Sequence, residues 1–520
     1  MASSSSSSNP VLFSTLSLVY FFFFFVFSSS ISKNKSLVSA TREEDTELQR
    51  THHRVPLSSL IPSSSCTFPP QDSKRNGSMD VVHKHGPCSK VKKPLSSSSS
   101  SSSSSFMVPH SEIFKQDEAR VRAIQSKLSK TLQIHQEEAE TGSNNKGPDR
   151  VQLPAKSGIP LGTGNYFVKV GLGSPFAATQ AMTSVGIRDL SLVFDTGSDI
   201  TWTQCKPCAG SCYAQKEPIF DPSQSSSYSN VSCSSSQCSQ LVSATGVRPA
   251  CSASTRACIY TIRYGDGSFS TGYFAKERLT LSSTDVVNDF LFGCGQKNQG
   301  LFRGVAGLLG LGRNSLSFVE QTAEKYQKIF SYCLPSTPSI VGYIAFGGRS
   351  SSRNVKFTPL SSISKGSSFY GLDFIGISVA RLNLSISASV FSSGTIIDSG
   401  TVITRLPPAA YGPLRNEFRR QMSRYPKADP LGLLDTCYNL TGVEVVRIPT
   451  ISFSFGGGVI VKLDVSGSVF VASKEQVCLA FAANEDERKV TIIGNTQQKT
   501  LEVVYDVAGE RIGFRPRGCK

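Results

Sequence analysis

Hydrophobic and polar positions divide the chain into four textures. Residues 11–27, "VLFSTLSLVYFFFFFVF", form one apolar and aromatic run. From residue 33 to 157 the chain is rich in Ser, Pro and charge, with ten consecutive serines at 96–105, and cannot bury enough apolar surface to fold alone. One helical island interrupts it: in "EIFKQDEARVRAIQSKLSKTLQ", Val121, Ile124, Leu128 and Leu132 share a face, with Lys and Arg on the other. Beyond it come short β-branched or aromatic runs punctuated by Gly, such as "NYFVKVGLG", "RLTL", "DFLFGCG" and "VKFTPL". Many short strands with turn signals predict an all-β, sandwich- or barrel-like body. The clearest helix within that body is "PPAAYGPLRNEFRRQMSRY", with Tyr411, Leu414, Phe418 and Met422 inward and Arg415, Arg419, Arg420 and Arg424 on a solvated outer face.

Two of the apolar runs end on an aspartate. "VFDTGSDIT" carries Asp195 and "IIDSGTVIT" carries Asp398, each with the order apolar, apolar, Asp, Thr/Ser, Gly, Ser/Thr. Further on, "VAGLLGLG" pairs with "VTIIGN", two bulky apolar residues followed by Gly in both. One such string means little, whereas two with matched flanks and matched downstream strands predict two homologous lobes with both aspartates at the cleft between them. Gly197 and Gly400 permit tight turns without a Cβ in the way. Thr196 and Ser399 supply hydroxyls able to bond to the opposite backbone, and Ser198 and Thr401 can donate to the carboxylates. Two carboxylates at close range resist double ionisation, so the pair keeps one proton over a wide acidic range and offers an acid and a base together.

Composition narrows the chemistry. All six histidines (His52, His53, His83, His85, His110, His135) precede everything that reads as folded, so the body has no Ser-His, Cys-His or His-metal chemistry. Of 14 cysteines, the 12 from Cys205 onward are the disulfide candidates: Cys205, Cys208, Cys212, Cys233, Cys238, Cys251, Cys258, Cys294, Cys333, Cys437, Cys478 and Cys519. Cys205, Cys208 and Cys212 could also suggest zinc, but no second close pair completes four ligands, so neither metal nor cofactor is expected. Net charge is +16, spread thinly, which argues for solubility more than for a dedicated nucleic-acid surface. The leading apolar run with its small serines reads as a secretory signal, with a retained single span as the alternative.

These residues resemble a known family. From about residue 164 to 519 the chain looks like a pepsin-type aspartic protease of the plant nepenthesin-like branch, close to those described as chloroplast nucleoid DNA-binding proteases. The resemblance implies a bilobal all-β fold around an active-site cleft, with Asp195 and Asp398 as the catalytic pair and Trp202, the sole tryptophan, in a supporting position. Tyr264 in "YGDGSFSTG" matches the flap tyrosine that closes over bound peptide, although an ordinary hairpin-tip aromatic reads the same way. Cysteines 205–258 resemble the disulfide-rich insert of that branch, and Cys437 with Cys478 the C-lobe bridge.

The expected layout is a signal peptide at 1–32, a pro-segment at 33–157, an N-terminal lobe at 158–348 and a C-terminal lobe at 349–520. The expected function is acid endopeptidase action on extended polypeptides by a water-activating aspartate pair. The chain's own basic pro-segment would be its intramolecular inhibitor, and a secreted, monomeric protein without a membrane anchor is expected. A catalytically silent binder of protein or glycan is one alternative. A plastid protease that binds DNA, prompted by "KVKKP" and the Arg-faced helix, is another, and the vacuole is a further location. Asn230, Asn383 and Asn439 head glycosylation sequons. The connection "PFAATQAMTSVGIRD" is about ten residues longer than the family's hairpin there and threatens the strand leading to Asp195.

Overall fold

The structure, a computed structural model, describes residues 51–68, 78–89, 110–140, 166–174, 188–264, 267–300, 302–348, 354–365 and 367–519. The signal-like run, the serine run, "KVKKP", the Leu132 side chain and residues 175–187 of the long connection lie outside the described residues. Two units divide the chain, and the second, His53–Lys520, carries everything below.

The fold is all-β and two-lobed, and its lobes repeat one sheet plan. In the first, Tyr166–Leu172 runs antiparallel to Arg188–Asp195, which runs parallel to Gly307–Gly310. Gly307–Gly310 pairs antiparallel with Trp202–Gln204, and that strand pairs parallel with Val286–Gln299. In the second, the same sequence of antiparallel, parallel, antiparallel and parallel neighbours joins Tyr370–Leu372, Thr395–Ile397, Thr491–Ile493, Thr404–Leu406 and Phe481–Ala483. The strands that deliver the two aspartates are buried on both faces, which is why they read as continuous apolar runs. Despite the long connection before it, Arg188–Asp195 keeps unbroken register with Tyr166–Leu172.

The lobes are joined by backbone pairing. Ile329–Cys333 pairs with both Gly342–Phe346 and the late strand Glu502–Asp506, and Glu502–Asp506 pairs with Arg511–Arg515. Phe330 stacks on Tyr505 with ring centroids 4.4 Å apart, and the Tyr332 and Tyr505 hydroxyls bond at 2.9 Å. A disulfide from Cys333 to Cys519 fixes the end of the chain to this seam.

Two expectations need correction. The segment before residue 157 holds more than one helix: Ser78–His83 is an internal strand between Tyr166–Leu172 and Gly342–Phe346, so His83 belongs to the folded body. Leu57, Leu60, Met79 and Val81 lie in the main core, and Cys66 bonds to Cys88, a pair absent from the cysteine candidates above. Local pattern missed this strand because its partners lie far along the chain and its own sequence is half polar. The outer face of helix Pro408–Gln421 is also not simply solvated. Tyr411, Leu414, Phe418 and Met422 are buried as expected, but Arg415 and Arg419 meet Asp435 at 3.0 and 3.7 Å and Arg420 meets Glu417 at 2.6 Å.

All fourteen cysteines are paired, the remaining bridges being Cys205–Cys294, Cys208–Cys212, Cys233–Cys251, Cys238–Cys258 and Cys437–Cys478. Replacing both Cys333 and Cys519 by Ser releases a 186-residue loop, and the expected loss is about 2–5 kcal/mol, read as a lowered thermal midpoint.

Candidate active site

The two Asp-Thr/Ser-Gly turns meet back to back. The Thr196 amide donates to Ser399 Oγ at 3.1 Å and the Ser399 amide to Thr196 Oγ1 at 2.9 Å, so each turn caps the other across the lobe boundary. Each carboxylate is also held by its own turn. Gly197 N–H donates to Asp195 Oδ1 at 3.0 Å, Gly400 N–H to Asp398 Oδ1 at 3.3 Å, and Thr401 Oγ1 to Asp398 Oδ2 at 2.5 Å. Ser198 Oγ is buried close enough to pull Asp195 down, but makes no hydrogen bond of ordinary geometry. Behind the turns, the parallel neighbours fix the backbone: Leu311 N–H reaches Asp195 O at 2.9 Å and Asp398 N–H reaches Ile493 O at 3.0 Å.

Between the carboxylates stands Arg120, a residue of the Lys- and Arg-bearing face of the helix that the sequence predicts to be exposed. It belongs to the helix His110–Glu140 and is 1 % exposed. Its Nη2 donates to Asp195 Oδ1 and to Asp398 Oδ1, both at 2.7 Å, and its Nε donates to Asp398 Oδ2 at 2.8 Å. One nitrogen therefore spans both carboxylates. A Cβ on Gly400 would lie 2.2 Å from the guanidinium carbon, and one on Gly197 would lie 2.8 Å from Nη2, so a side chain at either position would push the guanidinium from its place.

Burial pushes Asp195 above its ordinary value; Arg120 opposes this and the Asp398 charge adds to it. Burial also acts to raise Asp398, but the Arg120 charge and hydrogen bonds outweigh it and hold Asp398 below the usual carboxylate range. Asp195 Oδ2 has no hydrogen-bond partner among the described residues.

The same helix fills the cleft along its length. Ile113 and Phe114 pack with Val402, Ile403 and Leu434, while Val121, Ile124 and Leu128 pack with Phe369, Ile396 and Ile492. Asp117 accepts from the Val402 and Ile403 amides at 2.6 and 3.2 Å and pairs with Arg405 at 3.0 Å. Gln125 exchanges two hydrogen bonds with the Val490 backbone at 2.7 and 2.8 Å. Lys127 donates to Ser368 Oγ at 3.1 Å, and that hydroxyl donates to Asp199 at 2.5 Å. These partners were missed in the sequence. Their signal was present: Asp117 and Arg120 fall on the three-and-four spacing of Ile113, Ile124 and Leu128.

Tyr264 lies at the end of strand Cys258–Arg263, and its backbone is closed by Tyr264 N–H to Ser268 O at 2.8 Å. It is turned inward: Trp202 Nε1 donates to its hydroxyl at 2.5 Å and both rings pack on Phe302. Of the sequon asparagines, Asn230 and Asn383 are exposed and Asn439 is half-buried. No group of three or more His, Cys, Asp or Glu among the described residues has metal-site geometry.

The Xylanase inhibitor N-terminal family model matches residues 166–348 and the Xylanase inhibitor C-terminal model matches 369–516. An aspartyl protease family protein of Arabidopsis thaliana is 52% identical over 476 residues, 91% of this chain and 94% of that protein. Aspartic proteinase nepenthesin-2 of Nepenthes gracilis is 34% identical over 382 residues, 71% of this chain and 82% of its own. The crystal structure of basic 7S globulin from soybean shares the fold, with a TM-score of 0.52 and 20% identity over 67% of this chain and 92% of that one.

Removing the crossed hydroxyls with Thr196→Ala and Ser399→Ala leaves two buried amides without acceptors. Each single change is expected to cost about 1–3 kcal/mol in thermal or denaturant unfolding, and the double variant less than the sum.

Proposed function

Because the chain belongs to the plant aspartyl protease family, with a nepenthesin among its relatives, we propose that it is an aspartic endopeptidase made as a latched precursor. The observation that carries this reading is that Arg120 Nη2 stands 2.7 Å from both buried carboxylates, at the place a shared water would occupy once the helix leaves. Asp195 and Asp398 then titrate as a pair that retains one proton. The ionised member takes a proton from the water as its oxygen attacks the peptide carbonyl carbon. The protonated member donates to the carbonyl oxygen, and a later proton transfer to the amide nitrogen releases the new amine. Tyr264 on its hairpin is the group to fold over an extended peptide, and Trp202 its support. The seven disulfides suit an oxidising compartment and support secretion, with chloroplast and vacuole as alternatives.

The latch responds to acid at two places. While Arg120 is docked, Asp398 is held low, so its contribution is complete at higher pH and is lost as pH falls through that lowered value, breaking two of Arg120's three hydrogen bonds. The second place is a cavity of about 410 Å³ lined by His83, His85 and His110, which also meets Lys499, Arg517 and Asp464. Burial lowers all three histidines, His85 to about 3, and Lys84 and Lys499 add like charge around His83. Release of the helix frees His110 and removes the wall that His110 and Ile113 give this cavity, so its histidines regain protonation near 6.5; docking is unpenalised above that pH and weakens progressively below it.

A non-catalytic binding role is the competing reading, favoured by the xylanase-inhibitor description of the matching family models. The DNA-binding alternative loses support from the ion pairs that occupy Arg415, Arg419 and Arg420.

Casein or quenched-peptide cleavage at pH 3 to 5 is expected from the purified chain and not from Asp195→Asn or Asp398→Asn. Undiminished cleavage by either variant, or none by the parent, overturns the peptidase reading. Arg120→Ala removes the cation from a buried pair, a loss of about 3–5 kcal/mol. Cleavage is expected to begin at higher pH in that variant than in the parent. Helix release, followed by hydrogen exchange, is expected to begin as pH falls below about 6.5 and to shift to lower pH when His83, His85 and His110 are replaced by Gln.

A further inference from the structure

We propose that Arg405, with the Val402 and Ile403 amides, forms a subsite that selects an acidic side chain of the peptide substrate. The proposal rests on the peptidase reading above and names a substrate class for the same cleft.

In the latched protein the cradle already holds a carboxylate. Asp117 is fully buried, with Oδ1 accepting from Val402 N–H and Oδ2 from Ile403 N–H while pairing with Arg405 Nη2 at 3.0 Å. Every donor belongs to the body, in the stretch that leaves the Asp398 turn and enters strand Thr404–Leu406. Arg405 is 4 % exposed and is braced by its own Nη1 bond to Ile403 O at 2.8 Å, so the guanidinium is positioned independently of the helix.

Departure of the helix takes away the carboxylate that the two amides bond and the Arg405 guanidinium faces. Two amides and a cation in a shielded cleft then favour a ligand that is anionic and offers two acceptor oxygens. A carboxylate meets both demands. A carboxamide of the same shape has one acceptor and would turn an NH₂ donor toward an N–H or the guanidinium. Arg405 also borders a cavity of about 320 Å³, together with Ala483, Asn484, Glu485 and Lys489, so a side chain entering there has room beyond the helix's own footprint.

The position along the substrate follows from the helix. Asp117 and Arg120 are three residues apart, roughly 4.5 Å of helix rise, whereas an extended peptide advances about 3.3 Å per residue. Arg120 marks the reacting centre, so the acidic side chain falls one or two residues from the scissile bond, on the side of residues 402–405.

The test uses the full chain after acid activation, assayed near pH 5 to keep glutamate ionised, with one quenched peptide carrying Glu in turn at each of four positions on either side of the scissile bond. Each Glu peptide is paired with its Gln counterpart. At one position within two residues of the bond, kcat/KM is expected to favour Glu by about tenfold or more. Arg405→Gln is expected to bring that ratio to about one, and Arg405→Lys to keep part of it. Ratios near one at every position, or a preference that survives Arg405→Gln, overturn the proposal while leaving the peptidase reading intact. If Arg405→Gln does not fold, the parent scan and Arg405→Lys decide. Cleavage of no peptide at all overturns both readings.

Discussion

Two carboxylates buried side by side cannot both stay ionised without a cation or a proton between them. In this protein Arg120 is that cation. It bonds Asp195 and Asp398 with one nitrogen at equal distance, and much else in the cleft is arranged around this contact. Gly197 and Gly400 leave the guanidinium its space, since a Cβ on either would fall within 2.8 Å of it. The arrangement is one-sided: Arg120 makes two bonds to Asp398 and one to Asp195, which leaves Asp398 low and Asp195 raised.

Backbone architecture brings the carboxylates within reach of one atom. Each aspartate ends a strand that is clamped between an antiparallel and a parallel neighbour, and the same plan recurs in both lobes. Crossed bonds between Thr196 and Ser399 then set the two turns against each other. The shared seam of Ile329–Cys333 with Glu502–Asp506, closed by stacked rings and the Cys333–Cys519 bridge, ties the lobes together and so holds the spacing of the two carboxylates.

The helix His110–Glu140 is a negative of the cleft. Apolar residues meet apolar walls, Gln125 satisfies a strand edge, and Asp117, Arg120 and Lys127 each face a group of opposite charge or a hydroxyl relay leading to one. Arg405 with the Val402 and Ile403 amides, all holding Asp117, is the clearest instance of this match. Titratable groups are buried where helix and body meet, Asp117 and Arg120 on the helix and Asp398 in the body.

The sequence alone determined the twin aspartate strings, the matched apolar-Gly strands, the crossing hydroxyls and the all-β body, because each is written in local spacing that repeats within the chain. It also showed the inward face of helix Pro408–Gln421, a direct product of 3.6-residue periodicity. It did not show that Ser78–His83 is an internal strand, since that strand exists only through partners supplied from distant parts of the chain. Nor did it show Arg120 and Asp117 facing inward. The sequence reading set Lys and Arg on the face opposite Val121, Ile124 and Leu128 because charge argued for solvent, and only the folded cleft provides the carboxylates, the amides and Arg405 that make burying Arg120 and Asp117 favourable. Tertiary structure decided the function of those residues because a buried charge takes its meaning from its partner, and here every partner comes from another part of the chain.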